Sequence, residues 1–264
     1  MSAPGGRNAI SISGLSLELG GTMILSDVSF EVPLGSLVCI VGRNGAGKST
    51  LFKCVAGVIG NYSGELSISG RVARALSAKE RSRFVAYVPQ SSPIDIPYAV
   101  GEFMEMSRYP WRSVSSESED RRAVAEAMEM AGIAGFADRR LGSLSGGERQ
   151  KVMIASAIAQ GAGTILMDEP TTYLDYAHQA ETMDLIFRVN RERGVTVMVV
   201  THDVNLAIGM AGAAVAMAGG RVIWLGHSSG LLDPGRLAEI FGVNFRLYSS
   251  EGESLPMAAP ERGI

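Results

Sequence analysis

The chain has 264 residues, 46% of them hydrophobic and 19% charged, which is enough to bury a substantial core. A net charge of −3 and an isoelectric point near 5.7 give it no overall attraction to nucleic acid. Cys39 and Cys54 are too few for a disulfide framework or a thiolate metal site, and they read as small apolar packing residues in a reducing compartment.

Residues 1–7 lack the charged-then-apolar order of a signal peptide. Alternation over residues 10–19, 29–32 and 65–69 predicts strands of an antiparallel sheet. Between them the apolar run Leu37-Val38-Cys39-Ile40-Val41 reads as a buried strand, and Thr50-Leu51-Phe52-Lys53-Cys54-Val55 as a helix. The two are joined by Gly42-Arg43-Asn44-Gly45-Ala46-Gly47-Lys48-Ser49. A G-x-x-x-x-G-K-S loop in this setting curls its backbone N–H groups around phosphates, because glycine reaches positive φ and carries no Cβ to block the approach. The helix that follows adds its positive end. Gly42, Asn44, Gly45, Ala46, Gly47, Lys48, Ser49 and Thr50 are therefore candidate nucleotide contacts, with Lys48 on the β- and γ-phosphates and the Ser49 hydroxyl on Mg²⁺.

Residues 93–159 differ in character. Met104, Met106, Ala123, Val124, Ala127, Met128 and Met130 recur at helical spacing, and the charge run 117–122 reads as a solvated helix start. This predicts a helical subdomain inserted into an α/β core made of residues 1–92 and 160–243. Within it, Leu144-Ser145-Gly146-Gly147-Glu148-Arg149-Gln150 opens a helix. Ser145 and Glu148 fit a capping box, and the adjacent glycines leave the helix end bare enough for an anion to approach.

Residues 164–167 and 195–200 read as buried parallel strands, joined by a helix over 181–191 with Met183, Leu185, Ile186 and Val189 on one face. The first of these strands ends in Asp168 and Glu169, at the end of the sheet where open α/β folds bind ligands. Asp168 is placed to hold Mg²⁺ and Glu169 to polarise a water. Residues 206–220 are glycine-rich and fall short of the roughly 18 apolar residues of a membrane span. They read as a helix ending near Gly212, then a hairpin of strands 213–218 and 221–225 turning at Gly219-Gly220. Residues 244–264 read as a short extension with a frayed end.

With these residues in order, the chain resembles the ATP-binding subunit of an ABC transporter along nearly its whole length. The loop from Gly42 to Ser49 matches the Walker A motif, and Gln90 in Tyr87-Val88-Pro89-Gln90 matches the Q-loop. The segment from Leu144 to Gln150 matches the family signature, and Ile165 to Glu169 match Walker B. Leu174-Asp175 matches the D-loop and His202 in Val200-Thr201-His202-Asp203 the switch histidine. The resemblance implies a single ABC-type domain with a phosphate-loop NTPase core, an antiparallel β part and the helical insertion. It implies that Gln90 senses the γ-phosphate and Mg²⁺, and that His202 contacts the γ-phosphate and the attacking water. It also implies that Ser145, Gly146 and Gly147 close over ATP held by a second copy of the chain, head to tail. The Mg²⁺ contacts so implied are Ser49, Gln90 and Asp168. A separate transmembrane permease, a solute-binding protein acting indirectly and a position at the cytoplasmic face of the membrane are implied as well, and no nucleic acid.

Glu169-Pro170-Thr171-Thr172-Tyr173-Leu174-Asp175 followed by His178-Gln179, the segment Ser107-Arg108-Tyr109-Pro110 and the tail Leu237-Ala238-Glu239-Ile240-Phe241-Gly242-Val243 resemble importer subunits for iron-siderophore, haem and cobalamin complexes. That favours metal-chelate uptake, ferric siderophore first. The alternatives are an exporter ATPase, an importer for another solute, and a soluble ABC-type ATPase acting on nucleic acid or ribosomes. Ser107 replaces the glycine usual in its segment, and a second position departs from the family pattern. Leu19 stands where an aromatic residue usually stacks on adenine, with Met23 the other candidate for that contact. His178 and His227 carry no catalytic assignment.

Overall fold

The computed structural model describes residues 8–90, 97–210, 212–249 and 255–261. Residues 1–7 and the expected start of the helical insertion at 93–96 lie outside the described residues.

Strands β1 (Asn8–Leu19) and β2 (Thr22–Pro33) form a hairpin around Gly20-Gly21, both at positive φ. β2 begins seven residues before the predicted start at Ser29. The alternation there is masked because the β1–β2 register shifts repeatedly and Asp27 turns through φ 55°. β3 (Leu37–Val41) leads through the glycine loop into α1 (Lys48–Ala56), and β4 (Ser63–Ile68) with β5 (Arg71–Val72) returns to the hairpin. The result is a four-stranded antiparallel sheet in the order β2-β1-β4-β5. After α2 (Ala78–Arg81) and β6 (Val85–Val88), three helices intervene before the next strand: α3 (Val100–Met106), α4 (Glu117–Met130) and α5 (Gly146–Gln160).

The charge run at 117–122 is indeed a helix start. Ser116 caps α4 through the Glu119 N–H in a capping box, and Glu117, Glu119 and Asp120 sit on the positive end of the helix dipole. Of the methionines expected to pack, Met104 and Met128 are buried, whereas Met106 is exposed because α3 ends there. The helices are tied to the core at the C-terminus of α5. Arg108 and Trp111 donate to the carbonyls of Ala159 (2.8 Å) and Gln160 (2.6 Å), satisfying groups that a helix end leaves free.

β7 (Thr164–Asp168), α6 (Tyr176–Arg193) and β8 (Thr196–Thr201) form the expected βαβ unit, with α6 starting five residues before the predicted Glu181. α7 (Val204–Met210) precedes the hairpin of β9 (Ala213–Ala218) and β10 (Arg221–His227), which turns at Gly219-Gly220, φ 53° and 77°. The second sheet runs β10-β9-β3-β8-β7-β6, parallel except for β10. Its parallel strands are covered on both faces, which is why they read as unbroken apolar runs. Val38 and Ile40 pack with α1 and the antiparallel sheet, while Cys39 and Val41 face the helical side. Cys39 and Cys54 thus sit in the two cores, and burial pushes their thiols up to about 12 and about 11.

α8 (Pro234–Phe241) is followed by β11 (Phe245–Tyr248) and β12 (Met257–Pro260), an antiparallel pair in the segment read from sequence as a short frayed extension. β12 is anchored from afar. The Asn205 side chain donates to the Ala258 carbonyl (3.0 Å) and accepts from its N–H (2.8 Å), and Ala258 is buried. Among the described residues no helix is long and apolar enough to cross a membrane.

Candidate active site

The glycine loop has its shape for steric reasons. Gly42 lies at φ 155°, and a Cβ there would strike the Met217 carbonyl, so the chain can leave β3 this close to β9 only without a side chain. Gly47 lies at φ 94°, where a Cβ would come within 2.8 Å of Leu25 Cδ2 and 2.9 Å of the Ile24 carbonyl. Residues 44–50 consequently line a cleft of about 390 Å³ together with Ile24, Gln90 and Glu169. The first turn of α1 opens into this cleft and carries no acidic residue of its own.

Lys48 is only 4% exposed, and its Nζ donates to the carbonyls of Gly42 (2.7 Å) and Arg43 (2.9 Å). Burial lowers its pKa, and the nearby Glu169 and Asp168 carboxylates oppose that. Across the cleft floor the Ser49 hydroxyl donates to Asp168 Oδ1 at 2.9 Å, and the Tyr87 hydroxyl to Asp168 Oδ2 at 3.2 Å. Burial raises the Asp168 pKa, with those two hydrogen bonds pulling it back and the Glu169 charge adding to the rise. The Tyr87 hydroxyl is in turn pushed up by burial and by Asp168.

Glu169 leaves the end of β7 in the left-handed region, φ 49°, a conformation that is uncommon for a residue with a side chain. Its N–H is held by the Val200 carbonyl at 2.9 Å. This turn brings one carboxylate oxygen, Oε2, to the meeting point of three elements. Gln90 Nε2 donates to it at 3.0 Å, Thr172 Oγ1 at 2.9 Å, and His202 Nδ1 lies 3.1 Å away. Gln90, Asp168, Glu169 and His202 therefore gather with Lys48 and Ser49 around one cleft.

These features fit a nucleoside triphosphate and Mg²⁺. The loop is a cradle that side chains would fill, the buried ammonium has no direct carboxylate partner among the described residues, and a hydroxyl and a carboxylate stand 2.9 Å apart as hard oxygen donors. Ser145, Gly146 and Gly147 do not line this cleft. They form the N-terminus of α5, where Ser145 and Glu148 make the predicted capping box. Arg139 clamps Glu148 with two bonds, 2.7 and 3.2 Å. Together with the Ser145 N–H, these bonds hold the Glu148 carboxyl down to about 2.

A model of the ABC transporter family matches residues 25–172. The chain belongs to this family. It is 33% identical to the iron(3+)-hydroxamate import ATP-binding protein FhuC of Bacillus subtilis, over 95% of this chain and 94% of that one. It is 38% identical to the hemin import ATP-binding protein HmuV of Streptomyces coelicolor, over 94% and 89%. Among solved structures, the dimeric post-hydrolysis ATP-binding cassette MJ0796 bound to ADP and Pi superposes with a TM-score of 0.73 at 29% identity, covering 83% of this chain and 98% of that one. A metal-chelate type ABC transporter in an inward-facing conformation shares the fold at a TM-score of 0.83 and 23% identity, covering 97% and 98%. As an ABC ATP-binding subunit the chain binds and hydrolyses ATP.

Three residues of this ABC site escape a reading of motifs alone. Tyr87 and Thr172 hold Asp168 and Glu169, and Ile24 lines the cleft. Tyr87 could have been found from its place in the strand beside β7. Leu19 and Met23, the sequence candidates for the adenine contact, are 40% and 55% exposed near the tip of the β1–β2 hairpin, and neither lines the cleft.

Proposed function

We propose that this subunit hydrolyses Mg²⁺-ATP in the cleft to drive a separate transmembrane permease, and that the cargo is a metal chelate, a ferric siderophore ahead of haem and cobalamin. The backbone N–H groups of Gly42, Asn44, Gly45, Ala46, Gly47 and Thr50 and the Lys48 ammonium bind the phosphates. Ser49, Asp168 and Gln90 hold Mg²⁺, which when bound neutralises phosphate charge. Glu169 accepts a hydrogen bond from the attacking water through its carboxylate and polarises it, and His202 contacts the γ-phosphate and that water. Gln90 joins the cleft to the helical insertion, residues 93–159, set in a core of residues 1–92 and 160–243.

The observation that carries this reading is the convergence of Gln90, Thr172 and His202 on Glu169 Oε2 beside the phosphate loop. Ser145, Gly146 and Gly147 stand apart from that cleft and act on the nucleotide of a second copy, head to tail. The assembly sits at the cytoplasmic face of the membrane, with a solute-binding protein delivering cargo to the permease. The names of the import relatives support the cargo class. Purification of the chain with its permease, reconstitution into vesicles and ATP-driven uptake of labelled ferric siderophore, haem and cobalamin in parallel tests it. Uptake of ferric siderophore is expected. Efflux from loaded vesicles, or transport of none of the three, overturns the import reading.

A further inference from the structure

His178 lies outside the cleft, on the first turn of α6, and no step above uses it. Its surroundings are nevertheless closely defined. Asp175, the N-cap of α6, accepts through one oxygen from the His178 backbone N–H (2.8 Å), and the same oxygen lies 2.8 Å from the imidazole Nδ1. The ring is thereby held against the N-terminal turn of α5. A Cβ built on Gly147 would fall inside van der Waals distance of His178 Cδ2 and Cγ, and 2.8 Å from Nε2. Gly147 is buried, whereas its neighbour Gly146 is exposed with nothing within 4 Å of an added Cβ. One turn further along, the contact repeats as an ion pair. Lys151 on α5 meets Glu181 on α6 at 2.6 Å, and these are the residues four after Gly147 and three after His178.

The next residue, Gln179, works on the other side. Its side-chain amide donates to the Leu174 carbonyl at 3.0 Å, and within the same loop the Thr172 hydroxyl holds Glu169. An unbroken chain of contacts thus runs from Glu169 through the loop of residues 169–175 to the α6 N-cap, and from there through the imidazole to the glycine end of α5.

We propose that His178 is a positioning residue that ties the glycine end of α5 to the loop carrying Glu169 within one chain, so that the surface offered to a partner's nucleotide moves with the hydrolytic carboxylate. This rests on the reading that the glycine end of α5 acts on a bound nucleotide. A methyl group at position 147 must displace either the ring or the helix end.

The experiment is a double-mutant cycle on the full chain, measuring thermal unfolding, ATP affinity and steady-state Mg²⁺-ATPase. Gly147→Ala should lower the unfolding temperature and cut kcat by about tenfold or more, and His178→Ala alone should lower kcat by at least about threefold while ATP affinity stays within about twofold, since the imidazole lies outside the cleft. Removing the ring in Gly147→Ala/His178→Ala, or in Gly147→Ala/His178→Ser, should regain at least about threefold in kcat and part of the lost unfolding temperature, the sign of two residues in contact. Wild-type turnover in Gly147→Ala, or no recovery in either double variant, overturns the pairing. Wild-type kcat in His178→Ala, or an equal loss of ATP affinity and kcat there, overturns the positioning role. The recovery of unfolding temperature reads the pairing without ATPase activity, so a wild-type chain that fails to hydrolyse ATP defeats the functional reading separately.

Discussion

Gln90 donates to Glu169 across 3.0 Å, joining the segment that leads into the helical insertion to the carboxylate at the end of β7. Gln90 is exposed, Glu169 is 9% exposed, and both line the cleft. Gln90→Ala should leave ATP binding within about twofold, because the phosphate loop is intact, and lower turnover by about tenfold or more by releasing Glu169 and a Mg²⁺ contact. Nucleotide titration beside ATPase rates checks it. Equal losses in both would show that Gln90 acts in binding alone.

The Arg139–Glu148 clamp makes a pH prediction. Bonds from Arg139 and from the Ser145 N–H hold the Glu148 carboxyl at about 2, below its usual 4.5. A carboxylate whose pKa falls on folding stabilises the fold above its unfolded pKa and loses that contribution as pH falls through the folded value. The stability gap between wild type and Glu148→Gln should therefore be full above about pH 5 and close towards about pH 2. It should also shrink with salt, because both side chains are partly exposed. Urea unfolding across this range measures it, and a gap that widens on acidification contradicts the clamp.

Leu19 has no π-face and does not line the cleft, but it stands where the family resemblance expects a side chain to stack on adenine. A base–aromatic stack contributes roughly 1–3 kcal/mol in nucleic-acid systems, and the exposed hairpin tip points to the low end. Leu19→Tyr should tighten ATP binding by about three- to tenfold, or about 0.6–1.4 kcal/mol, and GTP binding comparably. Calorimetric titration reads both. Unchanged affinity in a folded variant would assign the base contact elsewhere, with Ile24 the cleft-lining candidate.

Most of this site is legible in sequence because its chemistry is local. The glycine loop, Asp168-Glu169 and the Ser145–Glu148 cap each occupy a few consecutive residues, and the buried parallel strands announce themselves as apolar runs. What sequence conceals is long-range. The Tyr87–Asp168 bond spans 81 residues, and the Asn205 clamp that orders β12 spans 53. The early part of β2 is concealed for another reason, since register shifts and the left-handed Asp27 break the period that would reveal it. α6 begins early because Asp175, which the motif reading assigned to a loop, also serves as its N-cap.

The proposed head-to-tail arrangement predicts complementation. Gly146 is exposed with open space around it, so Gly146→Asp should fold and place a charge where a partner's phosphate must approach. Lys48→Ala disables the phosphate loop instead. Each variant alone should be inactive, while a mixture forms one intact composite site and regains part of the ATPase activity. Mixed dimers that recover nothing would count against a site shared between copies.

The most direct test of the whole account is Glu169→Gln measured beside Lys48→Ala. If Glu169 polarises the attacking water, Glu169→Gln keeps wild-type ATP affinity and loses about a hundredfold or more in turnover, within the range for removal of a general base. Lys48→Ala should weaken ATP binding itself. Near-wild-type turnover in Glu169→Gln would contradict the central role given to that carboxylate.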